Sequence, residues 1–296
     1  MNPAILVAGG TGDLGARIIK ALINRGADVH ALVRHTSKPA KMSELDQLGV
    51  KLVYADLFNK EELTPACKGM SCIVSALAGL HDVIVDAQSI LLDAAVAAGV
   101  PRFIPSDFST DFTKMPVGEN RNLDLRKEFH KRLDQAPISA TSIFNGAFDY
   151  ILKYNTPLFN LKNQTVSYWG ESPDRQVDFS TLDNVADFTA AAALDASAPR
   201  YLRIASFQVS PNELVSIARD IRKTEFKLVP FGSLENLSAN NKRDRAANPQ
   251  GETELYPRWQ SSQYMHSMFS VQNEPLNNDR YSDVKWVSAV DVIAGI

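Results

Sequence analysis

Short apolar segments recur along the first 150 residues of the chain. Runs that are apolar almost throughout lie at 4–7, 29–33, 50–54, 71–76, 102–105 and 138–144. Such runs are typical of parallel strands that helices cover on both faces. The spacing of apolar residues between the runs predicts helices, among them 82–99 and 122–135. The first half is therefore predicted to be a doubly wound parallel sheet.

The pattern is less regular in the second half. Short strands are predicted at 165–169 and 176–179, an alanine-rich helix at 182–196, and a polar loop over 233–257. Ser210, followed by a proline and by Glu213, predicts a capped helix start, and Asn59 with Glu62 predicts another. We expect an α/β protein with a Rossmann-type domain at 1–154 and a smaller α+β domain at 155–296. Residues from about 181 to 206 are expected to pack back on the first domain.

A glycine-rich segment directly follows the first predicted strand. Its residues are Gly9, Gly10, Thr11, Gly12, Asp13, Leu14 and Gly15, and a predicted amphipathic helix begins there. Glycines at this spacing permit a sharp turn, a close approach of the backbone to a pyrophosphate, and tight helix packing. The free N–H groups and the positive dipole end of the helix favour a bound anion. The segment therefore predicts a dinucleotide site, with an empty structural turn as the alternative.

The residue that closes the second strand indicates which nicotinamide cofactor binds. In this type of fold an acidic residue there accepts hydrogen bonds from both ribose hydroxyls of NAD, but this chain has Arg34. A guanidinium cannot accept those bonds, whereas its donors match a 2′-phosphate, and Lys38 and Lys41 follow in the same segment. The sequence thus favours NADP(H). The alternative is that Arg34 only faces water.

Composition and charge exclude several other functions. The 296 residues are 45% hydrophobic with a net charge of −3, and the basic run 242–245 is short and interrupted. No nucleic-acid partner is expected for a chain with this net charge and so short a basic run. The chain has no apolar run of membrane-spanning length and no metal-ligand spacing around its two cysteines, Cys67 and Cys72. We therefore expect a reduced, cytoplasmic protein with neither a membrane partner nor a metal.

Four segments together resemble one protein family, the NmrA-like and isoflavone-reductase-like relatives of the short-chain dehydrogenases. The segments are the glycine loop, the strand end at 31–34, and the stretches 102–108 and 142–148. The resemblance implies a Rossmann domain that holds NADP(H) and a small C-terminal domain that closes a substrate cleft. Some members of the family reduce aromatic plant metabolites. Others are redox-sensing regulators that bind the cofactor without turning it over.

The resemblance also implies roles for individual residues. Gly9, Thr11, Gly12, Asp13 and Leu14 would line the pyrophosphate, and Arg34 would take the 2′-phosphate. Asp56 and Leu57 would flank the adenine. Ala76, Leu77 and Ala78 would border the ribose and nicotinamide side. Phe144, Asn145, Gly146 and Ala147 would meet the nicotinamide end, with an ordinary strand exit as the alternative for these four.

The proton donor is harder to predict. The chain has no tyrosine followed four residues later by a lysine, the pair that ordinary short-chain dehydrogenases use. Reductases of the resembled family use a lysine on the helix that is here 122–135, and an ungapped alignment places Arg126 there. Arginine cannot act as a general acid. Lys127 is one residue away and His130 titrates near neutrality, so both are candidates, while His81 has a weaker claim.

The C-terminal half is rich in large apolar side chains. Trp169, Trp259, Tyr264, Met265, Met268 and Phe269 either wall a substrate cleft or form the core of a small domain. We therefore expect an NADP(H)-dependent oxidoreductase that reduces an unsaturated or carbonyl group of an apolar small molecule, with aromatic compounds included. The alternative is a non-catalytic NADP(H) sensor that acts on a regulatory protein partner. The sequence does not predict the oligomeric state.

Overall fold

The computed structural model describes residues 2–296. The chain forms two compact units, and it passes between them several times. Unit 1 comprises residues 1–107, 125–143 and 185–202. Unit 2 comprises residues 108–124, 144–184 and 203–296.

A six-stranded parallel sheet forms the centre of unit 1. Its strands are β1 (Ala4–Ala8), β2 (Asp28–Val33), β3 (Lys51–Tyr54), β4 (Cys72–Ser75), β5 (Arg102–Ile104) and β6 (Ser139–Ala140). They lie in the order β3-β2-β1-β4-β5-β6. This is the strand order of a Rossmann fold, in which ligands bind outside the carboxyl ends of the strands where the order reverses. The predicted fold class is confirmed.

The following helices lie wholly or largely in unit 1. They are α1 (Asp13–Asn24), α2 (Pro39–Gln47), α3 (Lys60–Cys67), a π-helix (Asp82–Ala87), α4 (Gln88–Ala97), α5 (Arg121–Leu133) and α6 (Leu182–Leu194). One buried cluster includes Leu6, Ile73, Leu91, Phe103 and Phe129, which come from strands and helices alike. The strands pack as uniformly apolar segments because helices cover the sheet.

Unit 2 contains two three-stranded sheets and four α-helices that belong to it entirely. Strands β7 (Ser142–Phe144) and β12 (Tyr201–Arg203) form a separate two-stranded pair. The two sheets of unit 2 have the orders β13-β11-β8 and β14-β10-β9. These strands are β8 (Ala147–Phe148), β9 (Phe159–Asn160), β10 (Thr165–Tyr168), β11 (Val177–Ser180), β13 (Phe207–Val209) and β14 (Lys227–Pro230). The helices are α7 (Pro211–Arg222), α8 (Leu234–Ala247), α9 (Arg258–Ser270) and α10 (Ala289–Ala294).

The predicted loop at 233–257 is wrong over much of its length. Residues 234–247 form α8, and Ser233 caps it by accepting a hydrogen bond from the backbone N–H of Asn236. Only Leu237 and Asn241 of this helix are buried. A helix with so narrow a buried stripe lacks the apolar periodicity on which the prediction depended.

Two other predicted elements are divided in the structure. The predicted strand 138–144 becomes β6, which pairs with β5, and β7, which pairs with β12. The predicted helix 82–99 begins as the π-helix and continues as α4. Apolar patterning identifies buried segments, but it does not distinguish one pairing partner or one helix type from another.

Candidate cofactor-binding site

The glycine loop after β1 turns with no room for side chains at two positions. Gly9 has a φ of 84°. A Cβ added to Gly9 would lie 2.4 Å from the carbonyl oxygen of Ala76, and one added to Gly15 would lie 2.2 Å from that of Gly9. The loop therefore packs directly against the end of β4 and the first turn of α1. Gly12 caps α1 without a side-chain hydrogen bond, which leaves the N–H groups of the first turn open to a ligand.

A cavity of about 290 Å³ lies at the carboxyl ends of the strands of unit 1. This volume is near the lower end of the range that is usual for small-ligand pockets, about 300–1,000 Å³. The strand order reverses between β1 and β4, and both strands deliver residues to the cavity. The predicted residues that line it are Gly9, Thr11, Gly12, Arg34, Asp56, Leu57, Ala76, Leu77 and Ala78.

The Arg34 end of the cavity is a tight turn with an exposed cation. The N–H of Arg34 donates to Ser37 Oγ at 3.1 Å, and the N–H of Ser37 donates to the carbonyl oxygen of Arg34 at 2.9 Å. Asp56 follows the neighbouring strand β3, and its carboxylate accepts from the N–H of Phe58 at 3.0 Å. A guanidinium at one end, helix N–H groups near the middle and apolar walls between them fit a phosphorylated nucleotide.

Several predicted residues lie close to the cavity without lining it. Gly10 is buried, and a Cβ on it would meet Ile19 Cδ1 at 2.6 Å, so it serves the packing of α1. Leu14 is half-buried, and the exposed carboxylate of Asp13 accepts from Arg17 Nε at 2.8 Å. Exposed Lys38 precedes α2, and Lys41 pairs with Glu44 at 2.7 Å.

Sequence reasoning missed seven lining residues, namely Leu32, Val33, Ser37, Ala55, Phe58, Val83 and Ala87. Five of them are within three residues of a predicted lining residue, so simple extension of each strand end finds them. Val83 and Ala87 lie on the π-helix, whose geometry no apolar pattern reveals.

Phe144, Asn145, Gly146 and Ala147 belong to unit 2. Gly146 has a φ of 68°, and a Cβ on it would lie 2.4 Å from that of Asp178. The close approach of β8 to β11 thus explains this glycine by packing. Phe144 and Asn145 are fully buried.

His130 lies in a buried polar network of unit 1. Its Nε2 is 2.6 Å from Asp107 Oδ2, and the hydroxyl of Ser142 donates to the same oxygen at 2.6 Å. Arg200 donates to Ser142 Oγ at 2.6 Å and also reaches Asp134. Burial raises the pKa of Asp107, but the charge and hydrogen bond of His130 together with Ser142 outweigh it, and the net pKa is lowered. These contacts hold His130 as a packed partner of Asp107.

Arg126 and Lys127 occupy neighbouring positions on α5 and are half-buried. The Nε of Arg126 donates to the carbonyl oxygen of Ser106 at 2.9 Å. Neither residue, nor His130, lines the cavity of unit 1. Phe129, His130 and Leu133 of the same helix are buried.

His81 precedes the π-helix and is half-exposed. Its ring nitrogens lie 3.2 Å from Asp86 and 3.3 Å from Glu128. Partial burial lowers the pKa of His81, but the hydrogen bonds to Glu128 and Asp86 outweigh it and the net pKa is raised. The residue joins the π-helix to α5.

The large apolar residues of the C-terminal half are mainly core residues of unit 2. Trp169, Met268 and Phe269 belong to one buried cluster, and Met265 packs against it. Trp259 is buried beneath the guanidinium of Arg121, at 4.8 Å. Tyr264 is half-buried and accepts a hydrogen bond from Asn122 at 3.2 Å. For the buried residues of this group, the prediction that they form the core of a small domain therefore holds.

No helix within residues 2–296 combines the length and apolar content needed to cross a bilayer. Within the same range, no three His, Cys, Asp or Glu side chains are grouped as metal ligands.

A family model described as the NmrA-like family matches residues 1–290. The chain belongs to this family. Its strand order and glycine loop agree with that assignment, and the resemblance seen in the sequence is confirmed.

Two relatives and one solved structure are similar to this chain. Pinoresinol reductase 2 of Arabidopsis thaliana is 29% identical over 245 residues, which cover 75% of each chain. Photosystem II assembly factor Ycf39 of Cyanophora paradoxa is 29% identical over 197 residues, covering 63% of this chain and 58% of that one. A solved structure described as AtPrR2 with NADP+ and (+)pinoresinol covers 99% of this chain and 98% of its own, with a TM-score of 0.78 and 24% identity. The similarity to this solved structure shows that the two chains share a fold.

Proposed function

We propose that this protein is an NADPH-dependent reductase of a small apolar molecule, of the aromatic kind that pinoresinol represents. The observation that carries the proposal is the cavity at the strand reversal, with the open end of α1 on one side and Arg34 on another. Family membership and the reductase relative support the same function.

The cofactor would lie across the ends of three neighbouring strands. Arg34 follows β2, the glycine loop follows β1, and Ala76 follows β4, and these strands are adjacent in the sheet. Arg34 would bind the 2′-phosphate through its fork of donors, and the first turn of α1 would bind the pyrophosphate. Leu57 and Phe58 would pack on the adenine, and Ala76–Ala78 would border the other half. When bound, NADPH supplies a hydride.

Reduction of a carbonyl group also requires a proton, for which we propose Lys127. Arg126 is excluded because its guanidinium keeps its protons. His130 is held by Asp107 and Ser142 in the interior of unit 1, which makes it a poorer donor. Lys127 is half-buried, so it retains some access to solvent for reprotonation.

The cofactor assignment is tested by calorimetric titration with NADPH and NADH. We expect the wild type to bind NADPH more tightly, because only NADPH has a phosphate for Arg34. In Arg34→Asp the preference should reverse, since a carboxylate repels the phosphate and accepts bonds from ribose hydroxyls. Lys162→Asp, an exposed change in unit 2, is the control. Equal affinities of the wild type for the two cofactors would refute the 2′-phosphate assignment.

The reductase assignment is tested by following NADPH absorbance with lignans, quinones and enones as substrates. Lys127→Ala should reduce kcat by about 10²-fold or more, the usual contribution of a general acid. Lys127→Arg should be equally slow, because it keeps the charge but cannot release a proton. Lys131→Ala, four residues along α5, is the control. Full activity in Lys127→Ala would exclude this lysine as the donor.

A second candidate is a non-catalytic NADP(H) sensor that acts through a protein partner. The hydrogen bond from Arg126 to Ser106 favours the sensor, because Arg126 lies at the position expected for the catalytic lysine and has a structural role there. The assembly-factor relative favours it as well. Unequal affinities for NADP+ and NADPH without turnover of any substrate would support the sensor. Location in the cytoplasm is part of either proposal, and the two buried thiols support it.

A further inference from the structure

Ser106 connects the end of β5 to the wall of the cavity. Its side chain is almost completely buried, and its Oγ donates to the carbonyl oxygen of Leu77 at 2.6 Å. Leu77 follows β4 and lines the cavity between Ala76 and Ala78. One hydroxyl group therefore ties the loop that walls the cavity to the neighbouring strand.

Ser106 is itself held at both of its backbone polar atoms. Its N–H donates to Gln88 Oε1 at 2.9 Å, and its carbonyl oxygen accepts from Arg126 Nε at 2.9 Å. Gln88 is fully buried and donates its side-chain amide to the carbonyl oxygen of Ile84, in the π-helix, at 3.0 Å. Contacts from α4 and α5 thus converge on a single serine, which has little freedom to move.

The wall that Ser106 holds is confined on its other sides too. A Cβ on Gly9 would collide with Ala76, and a Cβ on Gly79 would lie 2.4 Å from Val83 Cβ. The loop is therefore packed between the glycine loop and the π-helix. A shift of the Leu77 carbonyl would change the shape of the cavity at this end rather than be absorbed by empty space.

We propose that Ser106 is a positioning residue, which holds Ala76–Ala78 in the shape that accepts the nicotinamide half of the cofactor. This rests on the proposed function. The order of β2, β1 and β4 places the adenosine half near Arg34 and the other half near Leu77. Without the hydroxyl, the buried carbonyl of Leu77 loses its donor and the wall relaxes. Only the ligand half that touches this wall is affected.

The experiment compares two ligands in wild type and Ser106→Ala. NADPH carries both halves, whereas adenosine 2′,5′-bisphosphate carries only the half near Arg34. By calorimetry we expect Ser106→Ala to weaken NADPH binding about threefold to tenfold, the effect of one hydrogen bond, and to leave the bisphosphate unchanged. Ser167→Ala, a buried serine of unit 2, is the matched control and should leave both affinities unchanged.

The fluorescence of bound NADPH provides a second readout, because it reports the surroundings of the nicotinamide ring. It should change in Ser106→Ala and not in Ser167→Ala. Equal weakening of both ligands, or no change in either, overturns the inference. Failure of the wild type to bind the bisphosphate would instead refute the proposed function. If Ser106→Ala does not fold, Ser106→Cys, whose thiol is a weaker donor, is measured against the same expectations.

Discussion

At the scale of single residues, a buried carboxylate constrains several segments of unit 1. Asp107 is completely buried, and it is held by His130 and Ser142 through the same oxygen. A buried charge is stable only when it is paired and hydrogen-bonded, because it has lost its hydration. The residues that satisfy Asp107 come from α5 and β7, so one side chain joins three segments of the chain.

Asp107→Asn should destabilise the protein at pH 7 by about 3 kcal/mol, as expected when a buried pair is broken. The pKa of Asp107 is lowered in the folded state, so its stabilisation is present above the unfolded value of about 3.9 and is lost as the pH falls further. The difference in the free energy of unfolding between wild type and Asp107→Asn should therefore become smaller below about pH 4. Urea unfolding at pH 7 and below pH 4 measures this difference. Asp46→Asn, an exposed change, is the control, and a gap that does not depend on pH would contradict the assignment.

At the scale of elements, side-chain caps determine where several helices begin. Ser210 accepts from the N–H of Glu213, and the carboxylate of Glu213 accepts from the N–H of Ser210 in return. The hydrogen bond from the N–H of Ser210, together with one from the side chain of Gln176, lowers the pKa of Glu213. Asn59 caps α3 by accepting from the N–H groups of Glu61 and Glu62. Both helix starts were predicted, because a cap depends on residues only three positions apart.

Ser210→Ala should lower the free energy of unfolding by about 1 kcal/mol, because the N–H of Glu213 loses its acceptor at the start of α7. Ser216→Ala changes the same residue type within that helix, where its hydroxyl only returns to the carbonyl oxygen of Asn212. This control should stay within about 0.5 kcal/mol of wild type. Thermal unfolding of the two variants provides the comparison. Equal decreases in the free energy of unfolding of the two variants would show that the capping box contributes no more than the hydroxyl of Ser216.

At the scale of the whole molecule, each unit has its own hydrophobic core. The cluster of unit 1 includes Leu91, Phe103 and Phe129, whereas that of unit 2 includes Phe159, Phe179 and Phe269. The cavity that we assign to the cofactor is lined by residues of unit 1 alone. A ligand stabilises the structure that it contacts, so its effect should be concentrated in unit 1.

Hydrogen exchange measured with and without NADPH tests this expectation. At a cofactor concentration of 100 times Kd, the stabilisation reaches about 2.7 kcal/mol, which corresponds to about 100-fold slower exchange. We expect slower exchange in the first turn of α1 and at 76–79, because these amides lie at the cavity. Helix α7 of unit 2 is the internal reference and should change little. Equal protection of α7, or none in α1, would contradict a site built from unit 1.

The sequence predicted the parts of the site that depend on local chemistry. Gly9 and Gly12 are recognisable because they follow a strand and precede a helix, and Arg34 because it ends the next strand. Ser37 and Phe58 were missed because the prediction stopped close to the strand ends, whereas Val83 lies on the π-helix, whose place at the cavity no local pattern encodes. Helix α8 was missed because tertiary burial of Leu237 and Asn241 stabilises a segment that has no amphipathic pattern.

The amino-acid order by itself determined the Rossmann-type sheet, the glycine loop and the cationic strand end, because each depends on neighbouring residues and on the period of apolar positions. The tertiary structure alone decided that His130 pairs with Asp107, that Arg126 holds Ser106, and that Ser106 holds Leu77. Those partners are 20 to 29 residues apart along the chain in each case. Hydrogen bonds over such separations form only once the sheet has brought the strand ends together, and no local pattern encodes them.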